Sequence, residues 1–198
     1  MHASSPGLFA LVSYVPDPLG PFLDGLRQSL PGVEFPQSHI TILPPRPLRV
    51  SVEIATRYAQ QVLQEFQPFA VELTAVHRFP ETNVLYLDLE EGNAILHELH
   101  DALNTAALEF GEQFEFRPHV TLGGPIPDSS VNVAHARAEH AWRSADLAKR
   151  FAVQEVVALW GEPGHPSKPM EWQRLWSYEL TANQHDAHAA AGVSHRTF

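Results

Sequence analysis

The chain has 198 residues, 44% of them hydrophobic, with 12 histidines, no cysteine and a formal net charge of −10 at pH 7. That size and apolar content predict one packed domain, and the missing thiols exclude disulfides, cysteine nucleophiles and cysteine-held zinc. The acidic balance argues against tight sequence-independent binding of long nucleic acid, which depends on Lys and Arg neutralising phosphates, so no DNA partner is expected; a small nucleotide needs only a few cations.

Leu8 to Val15 is an apolar, strand-forming run stopped by Pro16. It is too short to span a bilayer and has no basic start of the secretory kind before it, so a soluble, cytoplasmic protein with no membrane partner is expected. Phe22, Leu23, Leu26 and Leu30 have helical spacing over residues 20–30, ending at Pro31-Gly32. His39 to Leu43 reads as a short strand closed by Pro44-Pro45. Residues 50–66 predict a helix with Ile54, Tyr58, Val62 and Phe66 on one face. Strands at 69–79 and 83–90 flank Pro80-Glu81-Thr82-Asn83, a hairpin turn by composition. A helix over 93–110 carries Ile95, Leu99, Leu103 and Leu108. A short strand at 118–123 is stopped by Gly123-Gly124-Pro125. A weaker helix at 132–149 and strands at 151–160 and 171–180 follow, the last two around a loop rich in Gly and Pro. Beyond Ala182 the apolar periodicity ends and a loose tail, 182–198, is expected.

The order recurs. Each half reads as a strand, a helix, a short strand carrying His-x-Thr, a helix, then further strands, which is a cryptic duplication by pattern. The expectation is an α+β fold with a bilobal pseudo-two-fold arrangement, two antiparallel sheets, helices outside and a central cleft. Residues 7–181 would form this single domain, as a monomer.

Two motifs carry the chemistry: His39-Ile40-Thr41-Ile42 and His119-Val120-Thr121-Leu122. In a strand, alternate side chains share a face, so His39 joins Thr41 and His119 joins Thr121 while the apolar residues anchor the opposite face. A bare His-x-Ser/Thr means little here, because His2-Ala3-Ser4, His165-Pro166-Ser167 and His195-Arg196-Thr197 also match. Requiring apolar-Thr-apolar after the histidine cuts the chance expectation to roughly 0.03 occurrences. Two remain, in predicted strands at corresponding places of the two halves.

Paired His-x-Thr-x motifs, eighty positions apart in a duplicated α+β chain, resemble the 2H phosphoesterase superfamily, which includes 2′,3′-cyclic nucleotide phosphodiesterases and the bacterial 2′,5′-RNA ligases. Phe116-Arg117-Pro118-His119-Val120-Thr121-Leu122 is similar to that family's second signature. After the first motif, ligase-like members continue with aromatic-Leu-Gly, whereas here Leu43-Pro44-Pro45-Arg46-Pro47 follows, closer to a divergent bacterial branch. The resemblance implies a phosphoesterase in which one neutral imidazole deprotonates water and one imidazolium protonates the leaving oxygen, with His39, Thr41, His119 and Thr121 as catalytic residues. Histidine suits both tasks because it titrates near neutrality, and the threonine hydroxyls can donate to the non-bridging phosphate oxygens. No metal and no cofactor is required by that scheme. A nucleotide or short RNA end is the implied substrate, consistent with a place in RNA processing.

Further candidates for substrate binding are Arg117, two residues before His119, and Arg46, just after the first motif. Tyr14, Tyr86 and Trp160 are candidates to stack on a base. His97 and His100, three apart on a helix, lack a third zinc ligand and read as surface residues. Asp88, Glu90 and Glu91 read as solvated strand-end charges. Two alternatives to a hydrolase stay open: reversible 2′,5′ joining of RNA by the same groups, and a non-catalytic nucleotide-binding module.

Overall fold

A computed structural model describes residues 7–31, 37–162 and 170–182. Eight strands and four helices follow in the order β1 (Leu8–Tyr14), α1 (Leu19–Gln28), β2 (His39–Pro47), α2 (Val52–Leu63), β3 (Phe69–Arg78), β4 (Leu85–Leu89), α3 (Asn93–Leu103), a 3-10 turn (Ala106–Leu108), β5 (His119–Gly123), α4 (Asp128–Ser144), β6 (Arg150–Val153), β7 (Glu155–Glu162) and β8 (Glu171–Glu179). The tail beyond residue 182 and most of the loop before β8 lie outside the described residues.

The strands make one antiparallel sheet in the order β6-β3-β4-β5-β2-β1-β7-β8. Two separate sheets were expected, and the difference has a local cause. The two histidine strands pair directly, Ile40 opposite Val120, and so join the two halves of the chain at the centre of the sheet. Strands from opposite halves also pair on either side of that centre, β3 with β4 and β7 with β1.

Helices cover one face of this sheet. α1 packs on β5, α3 on β2 and α4 on β3, while α2 rests on α3 and the 3-10 turn. Between helices and sheet lies one core that includes Phe9, Leu11, Ile40, Ile42, Leu87, Val120 and Leu122. Its residues on β2 and β5 alternate with the half-buried His39, Thr41, His119 and Thr121, so those four side chains share the opposite, uncovered face.

Several elements differ from the periodicity reading. β2 runs on through Pro44 and Pro45 to Pro47. The pairing steps from Leu11↔Leu43 to Phe9↔Arg46, a bulge that gives two residues with no N–H a place where the ladder is already interrupted. α3 stops at Leu103 instead of reaching 110, because the Asn104 side chain turns to accept from the Phe110 N–H and from Arg46. On α2 the buried stripe is Ala55, Ala59 and Leu63, leaving Ile54 43% exposed: the small alanines let the helix sit close to its neighbours. Gly92 starts α3 at φ +82°, where a Cβ would lie 2.6 Å from the Ala70 carbonyl oxygen, so both backbone conformation and space require glycine.

Candidate functional site

The Ile40–Val120 pairing fixes the centre of the site. In an antiparallel pair with that register, His39 stands opposite Thr121 and Thr41 opposite His119. The two imidazoles are therefore on diagonal neighbours, a spacing of typically about 7–8 Å with the Cβ atoms somewhat closer. Ile40, Ile42, Val120 and Leu122 lock the backbone beneath them in the core, and truncating such a buried side chain costs roughly 2–5 kcal/mol. The mount is rigid.

The two rings are held alike. His39 Nδ1 lies 2.8 Å from the Gln37 carbonyl oxygen and His119 Nδ1 lies 2.7 Å from the Arg117 carbonyl oxygen. A carbonyl only accepts, so each Nδ1 carries the proton, and each neutral ring keeps its lone pair on Nε2. Tyr14 meets His39 edge-on at 6.2 Å; Phe79 and Tyr86 meet His119 edge-on at 5.1 and 5.3 Å.

Burial pushes the pKa of both imidazoles below the ordinary histidine value. For His39 the Gln37 hydrogen bond opposes that, the Arg27 guanidinium and His119 lower it further, and Asp24 raises it. For His119 the Arg117 carbonyl bond opposes burial, the Arg117 guanidinium lowers the value and Asp88 raises it. Both rings are thus set to be neutral near pH 7.

The two sides of the cleft differ. On the His119 side, Arg117 donates to Asp88 at 2.9 Å and lies over the Tyr86 ring at 5.2 Å; His77 Nε2 is 3.9 Å from the same Asp88 carboxylate. On the His39 side there is a cavity of about 290 Å³, bordered by His39, Thr41, Thr121, Val12, Leu159 and Trp172 among others.

The other predicted residues divide accordingly. Arg117 precedes β5 rather than extending it, yet its half-exposed guanidinium stands on the His119 side of the cleft through Asp88. Arg46 is corrected: it is 1% exposed and faces the core. Because β2 continues to Pro47, Arg46 keeps the core-facing parity of Ile40 and Ile42, and it donates to the Pro44 and Leu108 carbonyls, to Asn104 and to the Glu112 carboxylate. It has no reach to a phosphate over the imidazoles. Tyr14 borders the cleft beside His39. Tyr86 touches His119 but is only 2% exposed and already stacked on Phe79 at 4.0 Å, so no base can lie on it. Trp160 is on the helix-facing side, packed against the main core over Gly7.

His100 is buried rather than on the surface: Nδ1 bonds the Ile42 carbonyl at 2.9 Å, Nε2 is 3.6 Å from Glu112, and its ring stacks on Phe116 at 3.8 Å. With Arg46 and Glu112 it ties the first motif's strand to the segment that leads into the second. Among the described residues no cluster of three or more His, Asp or Glu side chains has the geometry of a metal site, and no helix is long and apolar enough to cross a membrane.

Sequence reading missed Phe79, Asp88 and Trp172 as cleft residues. Asp88 had a usable signal, since it is two residues from Tyr86 in one strand and so shares its face. Phe79 and Trp172 enter the site through the turn after β3 and through the pairing of β7 with β8, neither of which local periodicity carries.

Known proteins resemble this chain in sequence and in fold. Over 99 residues the chain is 27% identical to the protein named "Putative phosphoesterase" of Geobacillus thermodenitrificans, a match covering 46% of this chain and 57% of that one. Over 128 residues it is 25% identical to "Putative phosphoesterase GK0864" of Geobacillus kaustophilus, covering 60% and 70%. The first match thus spans little more than half of that relative's length. Among solved structures, TT0787 of Thermus thermophilus superposes with a TM-score of 0.62 at 17% identity, covering 87% of this chain and 97% of its own. Escherichia coli LigT in its apo form gives a TM-score of 0.62 at 16% identity, covering 90% and 100%. At such identities the likeness speaks for a shared fold. The model of the 2′-5′ RNA ligase superfamily matches residues 15–165, which take in both histidine motifs and the strands that pair them, and the chain belongs to that superfamily, the 2H phosphoesterases.

Proposed function

We propose that this protein is a metal-independent phosphoesterase that opens 2′,3′-cyclic phosphates of nucleotides or RNA ends, with 2′,5′ linkages as related substrates. The observation that carries the reading is the matched pair of Nδ1-protonated imidazoles on adjacent strands, each opposite the other motif's threonine. One neutral ring takes a proton from water at Nε2 as the water oxygen attacks phosphorus. The phosphorus–oxygen bond to one ribose oxygen breaks, and that oxygen takes the proton held on the other ring's Nε2. The product is a phosphomonoester, and proton exchange with solvent resets the pair. Thr41 and Thr121 donate to the non-bridging oxygens, where negative charge grows. Proton transfer and charge stabilisation are thereby covered without a metal ion. Arg117 adds a cation to phosphate binding on the His119 side.

E. coli LigT has been crystallised with phosphate and with 3′-AMP, which supports a nucleotide as the ligand class here. The strand order, with β5 and β2 central, also supports a duplicated architecture, the two halves contributing equivalent motifs. The test is to offer the four nucleoside 2′,3′-cyclic monophosphates and 2′,5′-linked dinucleotides to the protein in EDTA, with products assigned by phosphorus NMR. Hydrolysis that persists in EDTA is expected. Turnover abolished by chelation and restored by zinc contradicts the reading.

A further inference from the structure

We infer that the trough on the His39 side of the cleft is the seat of a single nucleobase, with Trp172 as its stacking surface, so that Trp172 determines specificity for nucleoside substrates over smaller cyclic phosphates. The inference rests on the phosphoesterase reading and deepens it.

Trp172 is carried by β8 and pairs across the strands with Gly161. A Cβ on Gly161 would lie 2.9 and 3.0 Å from Cζ3 and Cε3 of the indole, so the missing side chain is the room in which that ring lies against the sheet. Val12, Val157 and Leu159 form a small apolar cluster beside it, with Trp172 and Tyr14 packed on that cluster. Ala10 and Val12 line the same trough, and the small side chain of Ala10 keeps it open.

Among the described residues that border the trough, none carries a formal charge apart from the titratable His39. Among these described lining residues a second phosphate meets no Lys or Arg, whereas a flat, uncharged ring meets an indole and branched aliphatic side chains. The volume, about 290 Å³, is at the small end of ligand sites and suits one nucleoside rather than a longer strand. His39, Thr41 and Thr121 border the same cavity, so a base seated on Trp172 leaves its ribose phosphate at the imidazoles.

The test compares a nucleoside 2′,3′-cyclic monophosphate with glycerol 1,2-cyclic phosphate, which has no base, in the wild type, Trp172→Ala, Trp172→Phe and Ala10→Leu. Base–aromatic stacking predicts that Trp172→Ala lowers the kcat/KM ratio of nucleotide to glycerol substrate roughly tenfold, mostly through the nucleotide KM. Trp172→Phe restores most of the ratio, and Ala10→Leu, which fills the trough while leaving Trp172 in place, lowers it again. An unchanged ratio in both Trp172→Ala and Ala10→Leu overturns the inference. Calorimetric titration with 3′-AMP and with inorganic phosphate separates the two readings. If the wild type turns over neither substrate but Trp172→Ala selectively weakens 3′-AMP, the phosphoesterase reading fails and the base seat stands. If turnover is intact and Trp172→Ala weakens 3′-AMP no more than phosphate, the seat alone fails.

Discussion

His39 and His119 present the same nitrogen to the cleft. Each donates from Nδ1 to the carbonyl two residues earlier, at 2.8 and 2.7 Å, so the free position in both rings is Nε2. In the proposed reaction two bases prepared alike can exchange roles, because no built-in difference of tautomer separates them.

The pH dependence follows from the direction of their shifts. Both imidazoles titrate below the ordinary value because they are partly withdrawn from water, and that ordinary value is about 6.5. The proposed mechanism needs one ring protonated and one neutral. The kcat/KM profile, which reports the free enzyme, is therefore expected to be a bell centred on the acidic side of about pH 6.5. The bound phosphate favours the imidazolium, so the kcat profile lies at higher pH. Initial rates across the range, at low and saturating substrate, read both curves; a kcat/KM bell centred above neutrality contradicts the assignment.

The same shifts have a stability consequence with a definite sign. A histidine whose folded pKa is depressed binds its proton more readily in the unfolded chain. Its contribution to stability is present above the unfolded value of about 6.5 and is lost as pH falls through the lower folded value. Urea unfolding at a series of pH values is expected to show that loss, and it is reduced when His39 and His119 are both replaced by Gln. Equal pH dependence in the doubly substituted protein would assign the loss to other groups.

Arg117 and Asp88 act on His119 in opposite senses, the guanidinium lowering its pKa and the carboxylate raising it. Arg117→Ala is expected to raise the His119 pKa and the KM for a cyclic nucleotide, while Asp88→Asn lowers that pKa. Proton NMR titration of the ring, assigned by its loss in His119→Ala, measures both. Shifts of the same sign in the two variants would contradict the arrangement.

Arg46 gives a stability prediction in place of a binding one. Its guanidinium is buried against Glu112, Asn104 and two carbonyls, and breaking a buried ion pair leaves a charge without its partner. Arg46→Met is expected to lower the unfolding free energy by roughly 3 kcal/mol, read by urea denaturation. A fully stable Arg46→Met protein with a raised KM would instead mean that Arg46 contacts substrate.

The parts of the site that were legible in the sequence are those that local pattern encodes. His39-Ile40-Thr41-Ile42 and His119-Val120-Thr121-Leu122 alternate with period two, so each motif declares its own core face and cleft face. Arg46 obeys the same alternation, sharing the core-facing parity of Ile40 and Ile42, and escapes notice only because Pro44-Pro45 reads as a strand end while β2 runs on to Pro47. Phe79 and Trp172 reach the cleft through a turn and through long-range strand pairing. The single sheet was hidden for the same reason, since the pairing of β4 with β5 and of β7 with β1 is settled by tertiary packing.

The central claim is that the two imidazoles work on one phosphorus atom as a unit. Its most direct test is the rate of 2′,3′-cyclic nucleotide hydrolysis by His39→Ala, His119→Ala and the double variant, with folding checked by circular dichroism. Groups that act together are strongly non-additive. Each single substitution is expected to lower kcat by roughly 10²–10⁴, and the double substitution by little more than either alone. A single variant that keeps near-normal kcat, or losses that multiply in the double variant, would contradict a paired acid and base.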